Sequence, residues 1–266
     1  MCTVSFVPGS GGFYLAMNRD EKRDRFAALP PDVIELESHR AIFPREPTGG
    51  TWISANDSGV CLALINWHRI ERQPKAEPLS RGLVVEELAG KSTASEIAAS
   101  LKKLPVRKLR PFRLIAIVPA ENRVIEWRWD LRRLAIRNHE WLRQHWFSSG
   151  FDEDGAERVR AKVCASFVAG GGDPGRHDTS RRSGRAGVNA AGYSLQWLRR
   201  LHGSHAPKRG AFSICMHRHD AATVSYTEVA VSPRSVVMRY KDGPLCSRRA
   251  TMSKTCKLLR SRATNR

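Results

Sequence analysis

The chain has 266 residues, 41% of them hydrophobic, with 45 Lys or Arg against 26 Asp or Glu and a formal net charge of +19. That length buries a full core as one large domain or two small ones, and the composition is that of a globular protein rather than a fibrous or disordered one. No uncharged apolar stretch reaches the roughly 18 residues of a membrane-crossing helix, and the first apolar stretch lacks a basic leader before it meets Arg19 and Asp20, which argues against a secretory signal.

Residues 3–7 alternate in polarity and run into Pro8-Gly9-Ser10-Gly11-Gly12, a strong turn signal, after which residues 13–17 read as the returning strand. Antiparallel pairing joins the start of one strand to the end of the next, so this hairpin brings Cys2 close to Arg19 and Asp20. A turn-rich stretch through Pro30-Pro31 precedes a short apolar run at 41–43. Residues 51–54 and 60–65 predict a second hairpin around Asn56-Asp57-Ser58-Gly59.

Helices are expected over 80–89 and 93–104. In the second, Thr93 and Glu96 are spaced as a capping box, and Ile97, Leu101 and Leu104 form an apolar face. Residues 112–118 and 124–129 resume strand character. A third helix is expected from Asp154, with Glu157 as its cap partner and Val159, Val163 and Phe167 on its buried face. Gly170-Gly171-Gly172 and Pro174 mark 169–187 as a mobile loop, followed by a helix near 193–202 and strands near 211–217, 222–229 and 233–239. Strands, then helices, then strands favour an α+β fold of two packed sheets covered by helices. The expected organisation is one domain over 1–246 with a basic tail at 247–266.

Cys2 is the strongest candidate for chemistry. With Met1 removed, it carries a thiol of ordinary pKa about 8.5 beside an α-amine of about 7.7 to 8.0, so nucleophile and proton acceptor occupy one residue. Asp20 is the expected orienting carboxylate, and Arg19 is expected to stabilise a thiolate or grip a substrate carboxylate. Asn66 ends a long apolar strand, where its amide could stabilise an oxyanion or act as an ordinary turn cap. Trp52 and Trp67 are candidates for an apolar acyl pocket or for simple core packing. Gly49 and Gly50 permit an unusual backbone path beside Trp52 and form no phosphate-binding loop.

The six cysteines, at 2, 61, 164, 215, 246 and 256, contain no Cys-x-x-Cys pair. They predict reduced, mostly buried thiols in a cytoplasmic protein, with no zinc site and no other cofactor. His217 and His219 share a face if their strand continues, but two histidines are an incomplete ligand set. Residues 247–266 hold seven basic residues and no acid. The absence of an interleaved aromatic platform argues against nucleic-acid binding there.

Met1-Cys2-Thr3, Leu15-Ala16-Met17-Asn18-Arg19-Asp20-Glu21 and Gly49-Gly50-Thr51-Trp52 occur in the order seen in the NRDE protein family, also called the transport and Golgi organisation family. Ala63-Leu64-Ile65-Asn66-Trp67, Ile214-Cys215-Met216-His217 and Thr223-Val224-Ser225 resemble later pieces of that family. The resemblance implies an Ntn-hydrolase-like αββα sandwich, distantly similar to choloylglycine hydrolase and penicillin V acylase. It places Arg19 and Asp20 in the active site; Asn18 and Glu21, from their position beside that pair, could instead fix the turn. Ile65-Asn66-Trp67 departs from the family's Thr-Asn pattern, and Pro44-Arg45-Glu46-Pro47 from its Gly-Arg-Asp-like one. The implied function is a thiol amidohydrolase cleaving a carbon–nitrogen amide bond of a small acylated substrate. The alternative is a noncatalytic intracellular protein that handles a lipid or haem ligand or serves trafficking.

Overall fold

A computed structural model describes residues 2–167 and 193–259. The loop expected at 169–187 and the end of the basic tail lie outside the described residues.

Strands β1 (Cys2–Gly9) and β2 (Gly12–Lys22) form the expected opening hairpin, with Cys2 opposite Arg19 and Gly9 opposite Gly12. Around them a six-stranded sheet runs in the order β10 (Gln144–Ser148), β1, β2, β11 (Ala221–Val231), β12 (Ser235–Asp242) and β13 (Thr251–Lys257). The second sheet is a seven-stranded meander of β3 (Leu29–Glu35), β4 (Arg40–Arg45), β5 (Ile53–Asn56), β6 (Cys61–Asn66), β7 (Phe112–Val118), β8 (Arg123–Trp129) and β9 (Leu134–His139). Every ladder within the two sheets is antiparallel.

The period of two along each strand sorts side chains between layers. Val4, Phe6, Leu15 and Met17 of the first sheet meet Ile53, Ala63, Ile65 and Ile115 of the second, making the core between the sheets. Leu62, Leu64, Leu114 and Trp127 point the other way, onto α1 (Gly82–Leu88) and α2 (Ala94–Lys103). The outer face of the first sheet is covered by α3 (Glu153–Ser166) and α4 (Leu195–His202), through Val163, Cys164, Trp197 and Leu198. Helix, sheet, sheet and helix thus stack as an α+β αββα sandwich, as the sequence predicts.

Local chemistry fixes the helix starts. Thr93 accepts from the Glu96 backbone N–H at 3.1 Å, and the Glu96 carboxylate reaches back to the Ser92 N–H at 2.8 Å. The third helix begins earlier than expected, because Asp152 accepts from the Gly155 N–H at 2.8 Å and caps it in place of Asp154.

Two further segments differ from expectation. Residues 211–217 form no strand; they belong to an irregular segment between α4 and β11 whose ladder contact is an isolated bridge from His217 to Ala222. Within 247–266, Thr251–Lys257 pairs along β12 as the sheet's edge strand, with Lys254, Lys257 and other polar side chains in solvent. Exposed lysines on an edge discourage further strand pairing.

Candidate active site

Cys2 stands at the first position of an inner strand, in register with Arg19 on one side and Ser148 on the other. Directly opposed residues of an antiparallel pair share a sheet face. Cys2 and Arg19 therefore project together into the space between the sheets, whereas Asn18 and Asp20 project toward the helices over the other face.

The inter-sheet side opens into a cavity of about 410 Å³ lined by Cys2, Arg19, Trp52 and Asn66, among others. Cys2 is 6% exposed. Burial pushes its thiol above the ordinary value, opposed by the chain's amino terminus and by a backbone hydrogen bond from Asp20. Arg19 is buried against Trp52, its guanidinium carbon 4.3 Å from the ring centroid, and it pairs with Glu46. Glu21 stands 3.9 Å from Arg19, and Arg25 reaches Glu46 at 3.3 Å. The expected anion grip of Arg19 is thus already met by carboxylates of the protein itself.

Arg81 and Arg110 on the same cavity wall are differently placed. Among the described residues neither has an acidic partner within ion-pair distance, and Arg81 donates to the Pro111 carbonyl at 3.2 Å. Burial, with Arg110 close by, draws the Arg81 guanidinium down to about 10, where it still carries its charge at neutral pH.

Gly49 and Gly50 have φ of +89° and +85°, the left-handed region that favours glycine. They turn the chain so that the Gly50 N–H donates to Glu86 at 2.8 Å and the Thr51 N–H to the Gly82 carbonyl at 3.1 Å. This ties α1 to the cavity rim and sets Trp52 into its wall. Trp67 is not among the cavity residues; it lies outside, with Arg128 5.9 Å from its ring centroid. Asn66, one residue earlier, lines the cavity.

On the opposite sheet face Asp20 is fully buried. Its carboxylate accepts from Thr223 Oγ1 at 2.7 Å and from Arg160 Nη2 at 3.2 Å. Arg160 also donates to Thr3 Oγ1 at 2.9 Å and to the Cys2 carbonyl at 3.3 Å, so the backbone of the candidate nucleophile is held from beneath. Thr223 faces Asp20 just before a register shift in β11, a local bulge that re-aims the strand at the site. Asn18 belongs to the same layer, its amide donating to the carbonyls of His202 and Ile214 at 2.9 and 2.8 Å.

Sequence reasoning missed Arg160, and also a group on the irregular segment, where His205, Cys215, His217 and Cys246 bring their ligating atoms within 4.8 Å of one another. Arg160 had a signal: it sits on the stripe of Ala156, Val163 and Cys164, where helical periodicity demands an apolar residue. His219, paired with His217 in the sequence reading, is exposed and outside the group.

Comparison with known proteins agrees with this architecture. The family model TANGO2, Transport and Golgi organisation 2, matches residues 1–132, which hold the opening hairpin and the Gly49-Gly50-Thr51-Trp52 turn. No curated protein matches the chain by sequence. Among solved structures, penicillin V acylase from Agrobacterium tumefaciens is similar with a TM-score of 0.51 at 10% identity, over 95% of this chain and 85% of that one. The C2A mutant of conjugated bile acid hydrolase from Clostridium perfringens is similar with a TM-score of 0.50 at 12% identity, over 98% of this chain and 97% of that one. At such identities the likeness is one of fold. No helix among the described residues is long and apolar enough to cross a membrane.

Proposed function

We propose that this protein is an N-terminal-cysteine amidohydrolase that cleaves the carbon–nitrogen amide bond of a small acylated substrate. The observation that carries the reading is the placement of the Cys2 thiol in the wall of a 410 Å³ cavity it shares with Arg19 and Asn66. Removal of Met1 frees the Cys2 α-amine, which takes the thiol proton directly or through a water. The new ammonium beside the sulfur offsets the burial that otherwise holds the thiol protonated. The sulfur then attacks the carbonyl carbon, and the Asn66 amide donates to the oxygen as it gains charge. Collapse breaks the carbon–nitrogen bond, the ammonium returns its proton to the departing amine, and water hydrolyses the thioester to regenerate the thiol. Asp20 acts from beneath, fixing the Cys2 backbone through Arg160. Arg81 and Arg110 select a substrate whose acyl part carries an anionic group.

A noncatalytic ligand-binding role for the same cavity is favoured by one observation, the burial that raises the Cys2 thiol and keeps it neutral. Mass spectrometry separates the two. The catalytic reading expects purified protein to lack Met1 and Cys2 to react with an electrophilic acyl probe faster than the other five cysteines, with labelling lost in Cys2→Ala. Retained Met1, or an inert Cys2 in folded protein, sinks it in favour of noncovalent binding.

A further inference from the structure

We propose that His205, Cys215, His217 and Cys246 form a structural zinc site, separate from the candidate active site. The four come from an irregular segment and a distant turn, yet their ligating atoms stand as corners of one small polyhedron. The two sulfurs are 3.7 Å apart and the two imidazole Nε2 atoms 3.1 Å apart. From His217 Nε2 to Cys215 Sγ is 3.5 Å, and to Cys246 Sγ 3.4 Å.

Tetrahedral zinc binds sulfur at about 2.3 Å and imidazole nitrogen at about 2.0–2.1 Å. A regular tetrahedron with those bonds has edges of about 3.8 Å between sulfurs, about 3.3 Å between nitrogens and about 3.6 Å from sulfur to nitrogen. The observed separations follow that order and lie close to each value. Hydrogen bonding among the four groups has no reason to reproduce four of the six edges while keeping His205 within 4.8 Å of both sulfurs. Two thiolates with two imidazoles in a tetrahedron suit zinc rather than calcium or magnesium, which take oxygen ligands. Four protein ligands leave no open position, which marks the site as structural.

The surrounding chain supplies a second argument. Residues 203–220 run from the end of α4 to the start of β11 without a helix or paired strand. Connections longer than about 12–15 residues with no structure of their own are uncommon in compact domains and are usually functional or disordered. Here Ile214, Cys215 and Met216 are fully buried inside that segment. The Cys215 N–H donates to the Ser204 carbonyl at 3.0 Å, bringing Cys215 alongside His205. Cys246 follows the turn after β12 and is exposed, so an ion can enter from solvent. Zinc would staple the segment to that turn. Arg209, itself exposed, stands 3.2 Å from His217 Nδ1. With zinc on Nε2 that nitrogen carries the proton, and the guanidinium turns away into solvent.

The test uses the full-length protein purified without chelator. Metal analysis is expected to give about one zinc per chain, a stoichiometry set by one closed four-ligand site. Cys246→Ser and His205→Ala are each expected to lower zinc content several-fold, while Cys164→Ser, outside the cluster, retains it. Replacement by Co²⁺ in the unsubstituted protein provides a readout that does not depend on variants folding. The expected spectrum has the visible bands of a tetrahedral ion with thiolate charge-transfer absorption. Folded protein that binds neither Zn²⁺ nor Co²⁺, or whose Cys215 and Cys246 are joined as a disulfide in non-reducing peptide maps, overturns the proposal. So does a cobalt spectrum lacking thiolate ligation.

Discussion

Arg160 and Asp20 meet 3.2 Å apart with neither side chain exposed. Each has other partners, Thr3 and the Cys2 carbonyl for the arginine and Thr223 for the carboxylate, so the pair joins α3, β1, β2 and β11 at one point. Removing one member of a buried pair strands the other charge, at a cost of about 3–5 kcal/mol. Arg160→Met is therefore expected to lower the unfolding free energy in urea by about that amount. The double variant Arg160→Met with Asp20→Asn, which leaves no buried charge, should recover part of the loss. A neutral Arg160→Met would show that the pair does not hold the sheet to the helix.

The two glycines before Thr51 separate backbone strain from collision. Both have positive φ, but a Cβ on Gly49 meets nothing within 4 Å, while one on Gly50 lies 2.9 Å from the Gly82 carbonyl carbon and 3.1 Å from the Leu83 nitrogen. Left-handed geometry alone costs a non-glycine residue about 1–2 kcal/mol. Gly49→Ala should lose about that much in thermal unfolding, and Gly50→Ala distinctly more, because α1 must be displaced. Equal losses would mean the contact with α1 is not needed.

How much of this was legible in the sequence depended on the range of the interaction. The hairpin joining Cys2 to Arg19 is written locally, in an alternating run, a Pro-Gly-rich turn and a returning run. The Thr93–Glu96 cap is local as well. Asp20 was foreseen beside Cys2, and it is adjacent, but on the other sheet face, since neighbours in a strand point oppositely. Trp67, a candidate for the pocket or for simple packing, stands one position beyond Asn66 and lies outside the cavity for the same kind of reason. Arg81 and Arg110 were two cations among many, and only their closeness to Cys2 gives them a role. The His205, Cys215, His217 and Cys246 group depends on an irregular segment meeting a turn some 30 residues later, which no periodicity encodes. Residues 211–217 read as a strand because their apolar positions are buried, yet burial there comes from anchoring beneath α4 rather than from ladder pairing.

A hydrogen-bond chain in the helix-facing layer predicts how the fold responds to acid. The Asn18 amide donates to two carbonyls, so its oxygen must accept from His202 Nδ1, 3.1 Å away. His202 Nε2 then accepts from Ser5 Oγ at 2.9 Å, and Ser5 accepts in turn from His145 Nδ1 at 2.8 Å. The link from Ser5 to His202 Nε2 requires a neutral His202, because a protonated ring donates from both nitrogens and accepts at neither. Burial, with His145 and Arg160 nearby, draws His202 down to about 3. The unfolded chain, with His at about 6.5, binds the extra proton first, so this contribution is complete above pH 6.5 and lost as pH falls toward 3. At pH 5 the loss amounts to about 2 kcal/mol for one such group. Melting temperature should fall between pH 7 and pH 5, and the fall should be smaller in His202→Gln. Identical slopes would show that His202 is not the group responsible.

The cavity wall makes separate demands on Asn66 and Arg81, which steady-state kinetics can tell apart. Asn66 is assigned to the oxyanion, whose charge exists only on the way to the tetrahedral intermediate. Its loss should therefore fall on kcat, by about 10²–10³-fold in Asn66→Ala. Arg81 is assigned to a carboxylate that is charged throughout, so its loss should fall on KM. A charge-assisted hydrogen bond contributes about 1.5–3 kcal/mol, which converts to a rise of about 10- to 100-fold. The measurement uses a panel of N-acyl nitroanilides with and without a carboxylate on the acyl chain. Arg81→Gln should raise KM for the carboxylate-bearing members and leave the neutral ones unchanged. A uniform effect across the panel would mean that Arg81 shapes the cavity through its bond to the Pro111 carbonyl rather than reading the charge of the ligand.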